Sequence, residues 1–471
     1  MSSSILIRGA DYVVTVNGRR EIIQDAAVYI EHDRIVAVGR SSEVCRAYPK
    51  ADETIDAKGK AIYPGFINTH THLFEILLKG LSHDCVLIDW LKDSILPSMQ
   101  KLAARHMYPA ATLGIIEAIK SGTTTILDFN IPIVELSEAV LEAFYDSGIR
   151  GVEAHGIIDT GEDIGLPSEI IRPSELTLKQ IRGLHERFVT KLDSRLRVWL
   201  APVAIWGVTK EALTGSRALA DELKTGITMH IAETPFEAEH CKATFGSKEL
   251  DLYDSLGFLG SDLLGVHCVY LDDHDLKLVK SRGVKISHNA ISNMYLSSGV
   301  APVPRMLEMG ITVGLGTDGA ASNNNQDMLQ LLKVSALLPK VVHAGDPTII
   351  TAEKVLEMAT IDGARAIGAE NEIGSIEKGK KADITIVDLN GVFVAPAHDP
   401  VSALVYSATS ENITDTIVDG KILMRDRKLT ALDEGKAIRA ANAASEDLLK
   451  EAGLSQLSCR LALKDSLGNK R

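Results

Sequence analysis

The middle of this chain, at about residues 61–370, alternates short apolar runs with helix-like stretches, and no other sequence feature limits the fold as strongly. The strand-like runs lie at 123–127, 198–201, 227–231, 263–267, 284–287 and 312–316. Helix-like stretches between them include 112–120, 212–224 and 276–282. Repeated strand–helix units build parallel sheets, and a segment of this length suits eight such units. The middle is therefore predicted to be an α/β fold, a (β/α)8 TIM-like barrel.

Both ends of the chain carry a different pattern of short β-branched runs. They lie at 5–7, 11–16, 27–30 and 34–38 near the start, and at 383–388, 415–418 and 421–424 near the end. Either group alone is too small for a stable core, so the two ends are expected to pair. The predicted domains are 1–60 and 371–432 as two parts of one small β-sandwich, 61–370 as the barrel, and 433–471 as a helical tail.

Composition and charge exclude several classes of function. The formal net charge is −13, whereas nucleic-acid and membrane-surface binders need a basic face. No run approaches the roughly 20 apolar residues of a membrane span, and the N-terminus lacks a signal-peptide core. We expect a cytoplasmic protein that binds neither nucleic acid nor membrane.

The cysteines are scattered, without a Cys-x-x-Cys pair. Their spacing argues against a disulfide framework, a thiolate zinc site and the Cys/His zinc signature of nucleic-acid-editing deaminases. They are Cys45, Cys85, Cys241, Cys268 and Cys459. All five are expected to be reduced thiols.

Candidate metal ligands follow the strand-like runs. His70 and His72 are two residues apart, so they face the same way at the end of a strand. His230 and His267 end two later runs, and Asp318 follows the run at 312–316. Barrel enzymes place their catalytic groups at the ends of strands, and histidine with carboxylate binds a divalent metal. Glu233, three residues after His230, is the candidate acid–base group.

The whole pattern resembles the amidohydrolase superfamily. The resemblance rests on the split β domain, the His-x-His strand, the His-Ile-Ala-Glu segment at 230–233, the later histidine and the Gly-Thr-Asp segment at 316–318. The chain is most similar to the mononuclear aminohydrolases, which include the S-adenosylhomocysteine and methylthioadenosine deaminases, melamine deaminase and atrazine chlorohydrolase. The stretch expected to be the fourth barrel strand, 196–203, lacks the lysine that bridges two metals in other members.

The resemblance implies one divalent metal per chain, zinc first and iron second, held by His70, His72, His230 and Asp318. A metal lowers the pKa of a bound water toward about 7, so hydroxide is available at neutral pH. Glu233 is then expected to protonate a ring nitrogen, His267 to orient the attacking water, and Asp318 to accept its proton.

Four residues are candidates for substrate binding: Trp90, His155, Glu233 and Asn293. Trp90 either covers the substrate ring, as in similar deaminases, or packs a helix. Asn293 lies in a segment that either approaches the substrate or fixes a loop. Glu75 faces either the pocket or the exterior.

The implied activity is release of ammonia from an amino-substituted nitrogen heterocycle. The rings under consideration are a 5′-substituted adenosine, a purine or pterin base and an amino-s-triazine. The alternative is hydrolysis of a chloro- or alkylamino-s-triazine, and a more remote one is a non-catalytic scaffold. Barrels of this kind commonly assemble, so a homo-oligomer is expected.

Overall fold

The computed structural model describes residues 4–190 and 193–454. Numbered along the chain, its strands are β1 (Ser4–Val14), β2 (Ile22–Glu31), β3 (Arg34–Arg40), β4 (Glu53–Asp56), β5 (Lys60–Pro64), β6 (Phe66–Thr71), β7 (Thr123–Phe129), β8 (Arg150–Ile157), β9 (Leu196–Pro202), β10 (Ile227–Ile231), β11 (Leu263–His267), β12 (Lys285–His288), β13 (Val313–Leu315), β14 (Ile384–Asp388), β15 (Ile413–Val418), β16 (Lys421–Arg425) and β17 (Lys428–Leu429).

The α-helices are α1 (Ser41–Ala47), α2 (Leu87–Trp90), α3 (Leu96–Met99), α4 (Ala104–Lys120), α5 (Val134–Ser147), α6 (Ser174–Leu184), α7 (Lys210–Leu223), α8 (Pro235–Phe245), α9 (Glu249–Ser255), α10 (Asp273–Arg282), α11 (Ala290–Tyr295), α12 (Val303–Glu308), α13 (Ala320–Asn323), α14 (Met328–Val342), α15 (Ala352–Ala359), α16 (Ile361–Ala366), α17 (Pro400–Ser402) and α18 (Glu434–Glu451). Short 3₁₀ turns lie at Leu73–Leu78, Glu162–Ile164, Ile205–Gly207 and Ser410–Asn412, and π-helical turns at Leu91–Ile95, His185–Thr190 and Ala403–Ser407.

Strands β6 to β13 form a closed, parallel eight-stranded barrel in chain order. The barrel closes where Leu315 of β13 pairs with Asn68 of β6. Alternate residues of each strand face inward, and Leu127, Val152 and Trp199 belong to the cluster that fills the interior. The predicted (β/α)8 barrel is confirmed.

The two chain ends build a separate nine-stranded sheet, as the sequence predicted. They join where β5 pairs antiparallel with β14, placing Ile62 opposite Ile386 in the sheet's own apolar core. One detail differs from the prediction. The run at 5–7 and most of the run at 11–16 lie in a single strand, β1, which ends at Val14 and whose register shifts between Ile7 and Ala10 at an irregularity of the bulge type.

The domain boundaries at 60, 370 and 432 stay predictions. Within the predicted tail of 433–471, helix α18 covers Glu434–Glu451, and residues 455–471, with Cys459, lie outside the described residues. Met1 to Ser3 at the N-terminus lie outside them as well. No helix within 4–190 or 193–454 has the length and apolar character needed to cross a membrane.

Candidate active site

The candidate metal centre lies at the carboxyl ends of the barrel strands and is built around His70. This residue is completely buried near the end of β6, and neither of its ring nitrogens has a hydrogen-bond partner. Its Nε2 atom lies 3.2 Å from Oδ1 of Asp318. A buried imidazole without partners carries a desolvation cost, which a bound cation removes.

Two further histidines have one ring nitrogen fixed by a backbone carbonyl from the neighbouring strand region. Nδ1 of His72 lies 2.7 Å from the carbonyl oxygen of Phe129, and Nδ1 of His230 lies 2.7 Å from that of Val203. A carbonyl can only accept, so each Nδ1 carries the proton and each Nε2 keeps a free lone pair. Metal-binding histidines are oriented in this way.

Asp318 completes the donor set from the loop after β13. Its amide donates to the carbonyl oxygen of His70 at 2.9 Å, and its Oδ1 lies 3.5 Å from Nε2 of His72. Its φ of +62° and that of His267, +67°, lie in the left-handed region, which non-glycine residues rarely adopt. Such strain is concentrated at functional sites, where the surrounding structure holds it in place.

Gly319 allows this loop to approach a buried carboxyl group. A Cβ atom at this position would meet Oε2 of Glu75 at 1.8 Å, well inside van der Waals contact. The backbone of Gly319 is extended with a φ of −69°, so the requirement is one of space and not of conformation.

The electrostatics of the centre suit a divalent cation. Burial lowers the pKa of His72 to about 4 and the pKa values of His70 and His230 below their ordinary range, so all three rings are neutral near pH 7. Burial opposes ionisation of Asp318, but its contact with His70 holds the pKa of this carboxyl well below its usual value. Neutral imidazoles and a carboxylate are the ligands that zinc and related metals take. His70, His72, His230 and Asp318 therefore fit the implied metal.

Glu233 and His267 lie beside this donor set. Oε2 of Glu233 is 3.5 Å from Nε2 of His267, which in turn is 3.8 Å from Oδ2 of Asp318. Burial raises the pKa of Glu233 to about 7. Burial acts to lower the pKa of His267, but the charges of Glu233 and Asp318 outweigh it and raise this pKa. His267 also lies close enough to His70 and His230 to join a metal site, so its position alone does not decide its role.

A cavity opens above the centre. Its floor contains His72, His230, Glu233, His267 and Asp318. Its walls come from the segment of helices α2 and α3 and from the loops after β7, β8 and β9, and are largely apolar. Enzyme sites in barrels of this kind lie at this face.

The structure separates the predicted substrate-binding residues into two groups. Trp90 and Glu233 line the cavity, and so does Glu75, whose orientation the sequence left open. His155 and Asn293 are not among the lining residues.

His155 points out of the barrel. Its neighbour Ala154 belongs to the interior cluster, so alternation along β8 turns His155 outward, where its Nδ1 lies 2.7 Å from Oγ of Ser137 on α5. Asn293 contacts a site residue instead of the cavity, since its Oδ1 accepts a hydrogen bond of 2.8 Å from Nδ1 of His267.

Ser298 is a site residue that sequence reasoning missed. Its hydroxyl donates to Oε1 of Glu233 at 2.9 Å, and it reaches that position because its amide bonds to the carbonyl oxygen of Asn293. No local pattern connects a serine to a carboxylate 65 residues earlier.

The fourth barrel strand is β9, Leu196–Pro202, as expected. It carries no lysine. A bridging carboxylated lysine at that position is therefore absent, which agrees with a site for one metal.

Comparison with known proteins decides the family. The profile described as "Amidohydrolase family" matches residues 61–423, which include the barrel and much of the second half of the sheet. The chain belongs to the amidohydrolase family. A second profile, an imidazolonepropionase-like composite domain of bacteria, matches residues 26–51.

Among curated relatives, a 5-methylthioadenosine/S-adenosylhomocysteine deaminase of Thermococcus onnurineus is 41% identical over 90% of this chain and 95% of its own length. A 5′-deoxyadenosine deaminase of Methanobrevibacter smithii is 40% identical over 90% of this chain and 94% of its own length.

Among solved structures, a zinc-containing adenosine deaminase of Xanthomonas campestris superposes with a TM-score of 0.89 at 30% identity, covering 95% of this chain and 99% of that one. Solved triazine hydrolases share the fold at 24–25% identity. This family member is thus a hydrolase of carbon–nitrogen bonds in cyclic amidines, requires a divalent metal and acts on a small heterocycle.

Proposed function

We propose that this amidohydrolase removes the 6-amino group of a 5′-substituted adenosine by hydrolysis, releasing ammonia and the corresponding inosine. The observation that carries the proposal is the placement of Glu233 beside His267, 3.5 Å apart, over the donor set on the cavity floor. The adenosine ring is supported by the relatives near 40% identity, which are deaminases of 5′-modified adenosines.

The proposed metal ligands are His70, His72, His230 and Asp318. When bound there, a divalent cation supplies Lewis-acid activation of water at neutral pH. Zinc is our first choice because three imidazoles and a carboxylate suit it and because the related adenosine deaminase of known structure holds zinc. Iron is the second choice, since ligand type alone does not exclude it.

Asp318 is proposed to accept the proton of the attacking water and to pass it to the departing amine, which leaves as ammonia. Its Oδ1 faces His70 and His72 and also accepts a hydrogen bond of 2.8 Å from the amide of Gly319. Its Oδ2 is directed toward His267, so the two oxygens of one carboxylate can serve ligation and proton transfer separately.

Glu233 is proposed to donate a proton to the ring nitrogen next to the reacting carbon. With a pKa of about 7, its carboxyl group is partly protonated at neutral pH, which suits a general acid. Protonation of the ring nitrogen makes the adjacent carbon electrophilic and prevents negative charge from building up on the ring. Ser298 fixes one oxygen of Glu233 and leaves the other near His267.

His267 is proposed to orient the attacking water. Asn293 fixes its ring by accepting from Nδ1, so Nε2 faces the space between Glu233 and Asp318. A water in that space can donate to a carboxylate while the imidazole holds its orientation, which contributes to catalysis by positioning.

Removal of chloride or an alkylamine from a triazine is the weaker alternative. It requires the same donor set, but the triazine hydrolases of known structure are 24–25% identical to this chain, well below the adenosine-type relatives.

An ammonia-release assay on purified, metal-analysed protein tests the proposal. The panel contains adenosine, 5′-deoxyadenosine, 5′-methylthioadenosine, guanine, a pterin and melamine. We expect turnover of the 5′-substituted adenosines. Turnover confined to a free base, pterin or triazine contradicts the adenosine assignment. A cytoplasmic location and a homo-oligomeric state stay predictions, and size-exclusion chromatography with light scattering tests the second.

A further inference from the structure

The cavity wall differs chemically from the cavity floor. Fifteen of the lining residues carry apolar side chains and eight carry polar ones. Five of the eight polar residues are those of the floor already described. Apart from the indole nitrogens of Trp90 and Trp206, which can donate but carry no charge, Glu75, Asn130 and Glu237 remain to provide polar side-chain contacts elsewhere.

These three side chains already have partners in the protein. Oε2 of Glu75 accepts from the amide of Ala321 at 3.2 Å. The Asn130 side chain donates to Glu153 at 3.2 Å and accepts from the amide of the next residue at 2.8 Å.

Glu237 is similarly engaged. Its Oε2 atom accepts hydrogen bonds from both the amide and the hydroxyl of Thr234, at 3.0 and 2.5 Å, and so caps the N-terminus of helix α8. A substrate group that extends beyond the reacting ring therefore meets mostly apolar side chains.

Away from the proposed metal, the cavity lining provides no cationic side chain. Among the described residues that line it there are four carboxyl groups but neither lysine nor arginine. A carboxylate or phosphate held against the apolar wall, away from the proposed metal, would lose its hydration without gaining a cationic partner, which is a large cost in an apolar environment.

The basic side chain of Lys92 lies outside this wall. It lines an adjoining outer hollow, which shares Leu91, Leu166 and Trp206 with the main cavity. Lys92 is exposed, and the acidic Asp163 lines the same hollow, so the hollow has no net positive charge from this pair.

We propose that the site selects adenosines whose 5′ group is uncharged and apolar, such as a 5′-deoxy or 5′-alkylthio group, and rejects anionic 5′ groups. This inference rests on the proposed function and narrows its substrate class. Leu166, Trp206 and the apolar residues of the α2–α3 segment would contact the 5′ group, while the floor residues hold the reacting ring.

A matched pair of substrates tests the inference. 5′-Butylthioadenosine and S-adenosylhomocysteine carry the same four-carbon chain on sulfur and differ in the amino and carboxylate groups. We expect kcat/KM for the butylthio compound to exceed that for S-adenosylhomocysteine by about 100-fold, the effect of leaving a buried charge unpaired. Equal values for the two compounds overturn the inference while leaving the proposed function intact. Absence of turnover for both, and for 5′-deoxyadenosine, contradicts the proposed function itself and the inference with it.

Two variants locate the selectivity. Leu166→Arg places a cation in the wall and is expected to reduce the ratio of the two kcat/KM values at least tenfold. The control is Leu166→Met, which replaces leucine with an uncharged side chain of similar volume and should keep the ratio. Lys92→Met is expected to leave the ratio unchanged. A selective loss of S-adenosylhomocysteine turnover in Lys92→Met would show that Lys92 holds the carboxylate, and would overturn the inference even if Leu166→Arg failed to fold.

Discussion

The Oε2 atom of Glu233 lies 3.5 Å from Nε2 of His267, and both side chains are almost completely buried. The two groups influence each other's protonation, since Glu233 raises the pKa of His267 while His267 opposes the rise that burial causes in Glu233. Each side chain is also held by a second residue, since Ser298 donates a hydrogen bond to Glu233 and Asn293 accepts one from His267. This four-residue arrangement makes the proton-transfer account testable.

Glu233→Gln should retain the metal and lose most activity. The amide has the same shape as the carboxyl group but cannot give a proton to the ring. We expect kcat to fall by about 100-fold or more, the usual contribution of a general acid. Metal analysis and ammonia release measure the two properties on one sample. Glu239→Gln, on the exposed face of the following helix, is the control and should behave like the wild type. Full activity of Glu233→Gln would remove this residue from the proton path.

Ser298→Ala should raise the pH at which kcat/KM falls to half on the alkaline side. The acid form of Glu233 is present below its pKa of about 7 and is lost as the pH rises through it, so kcat/KM should fall on the alkaline side of neutrality. The Ser298 hydroxyl donates to the carboxylate and favours the charged form. Removing the hydroxyl should therefore raise this midpoint by about 0.5–1 pH unit, which corresponds to the free energy of one hydrogen bond. The control is Ser297→Ala, an exposed neighbour. A midpoint that stays in place or moves down disagrees with this assignment.

Asn293→Ala and His155→Asn should differ in their kinetic effects. Loss of the Asn293 carbonyl frees the His267 ring, so kcat should fall about tenfold while KM changes little. His155 lies outside the barrel against Ser137, so its replacement should lower the melting temperature and leave KM for the adenosine unchanged. Steady-state kinetics and thermal denaturation of both variants provide the comparison. A large increase in KM for His155→Asn would return this residue to the substrate site.

Gly319→Ala should damage the site through a steric conflict. The new Cβ overlaps the carboxyl group of Glu75, so either this buried side chain gives up its hydrogen bond to the amide of Ala321 or the loop that carries Asp318 shifts. We expect a loss of about 1–3 kcal/mol in unfolding free energy, as for overpacked cores, together with weaker metal binding.

The matched control for Gly319→Ala is Gly183→Ala, in helix α6. A Cβ atom there meets no atom within 4 Å, and alanine favours the helix by about 1 kcal/mol. Denaturant unfolding and metal titration of the two variants distinguish the local clash from a general effect of removing glycine. If Gly319→Ala and Gly183→Ala had equal free energies of unfolding, the predicted clash with Glu75 would be contradicted.

The sequence predicted those parts of the molecule that depend on periodicity. His70, His230 and His267 lie near the ends of buried strands, and parallel barrel strands bring such ends together. The pairing of the chain ends was predictable for a related reason, since neither half of the sheet has enough apolar surface by itself.

Alternation along β8 is sufficient to predict the direction of His155. Val152 and Ala154 are small or β-branched and face inward, which leaves the odd-numbered positions outside.

Contacts between loops were beyond sequence reasoning. The hydrogen bonds from Ser298 to Glu233 and from His267 to Asn293 connect segments 65 and 26 residues apart. Their geometry depends on how the loops after three different strands fold over the barrel, which no helical or strand period encodes. The apolar wall of the cavity arises in the same way.

Ammonia release from 5′-methylthioadenosine by the purified, metal-analysed wild-type chain, alongside His70→Ala, tests the central claim most directly. The account predicts one ammonia for each nucleoside converted by the wild type with about one metal bound per chain. It also predicts that His70→Ala loses metal and turnover together. A wild-type chain that binds its metal but leaves 5′-substituted adenosines unchanged, or a His70→Ala variant that turns them over without metal, would contradict the account.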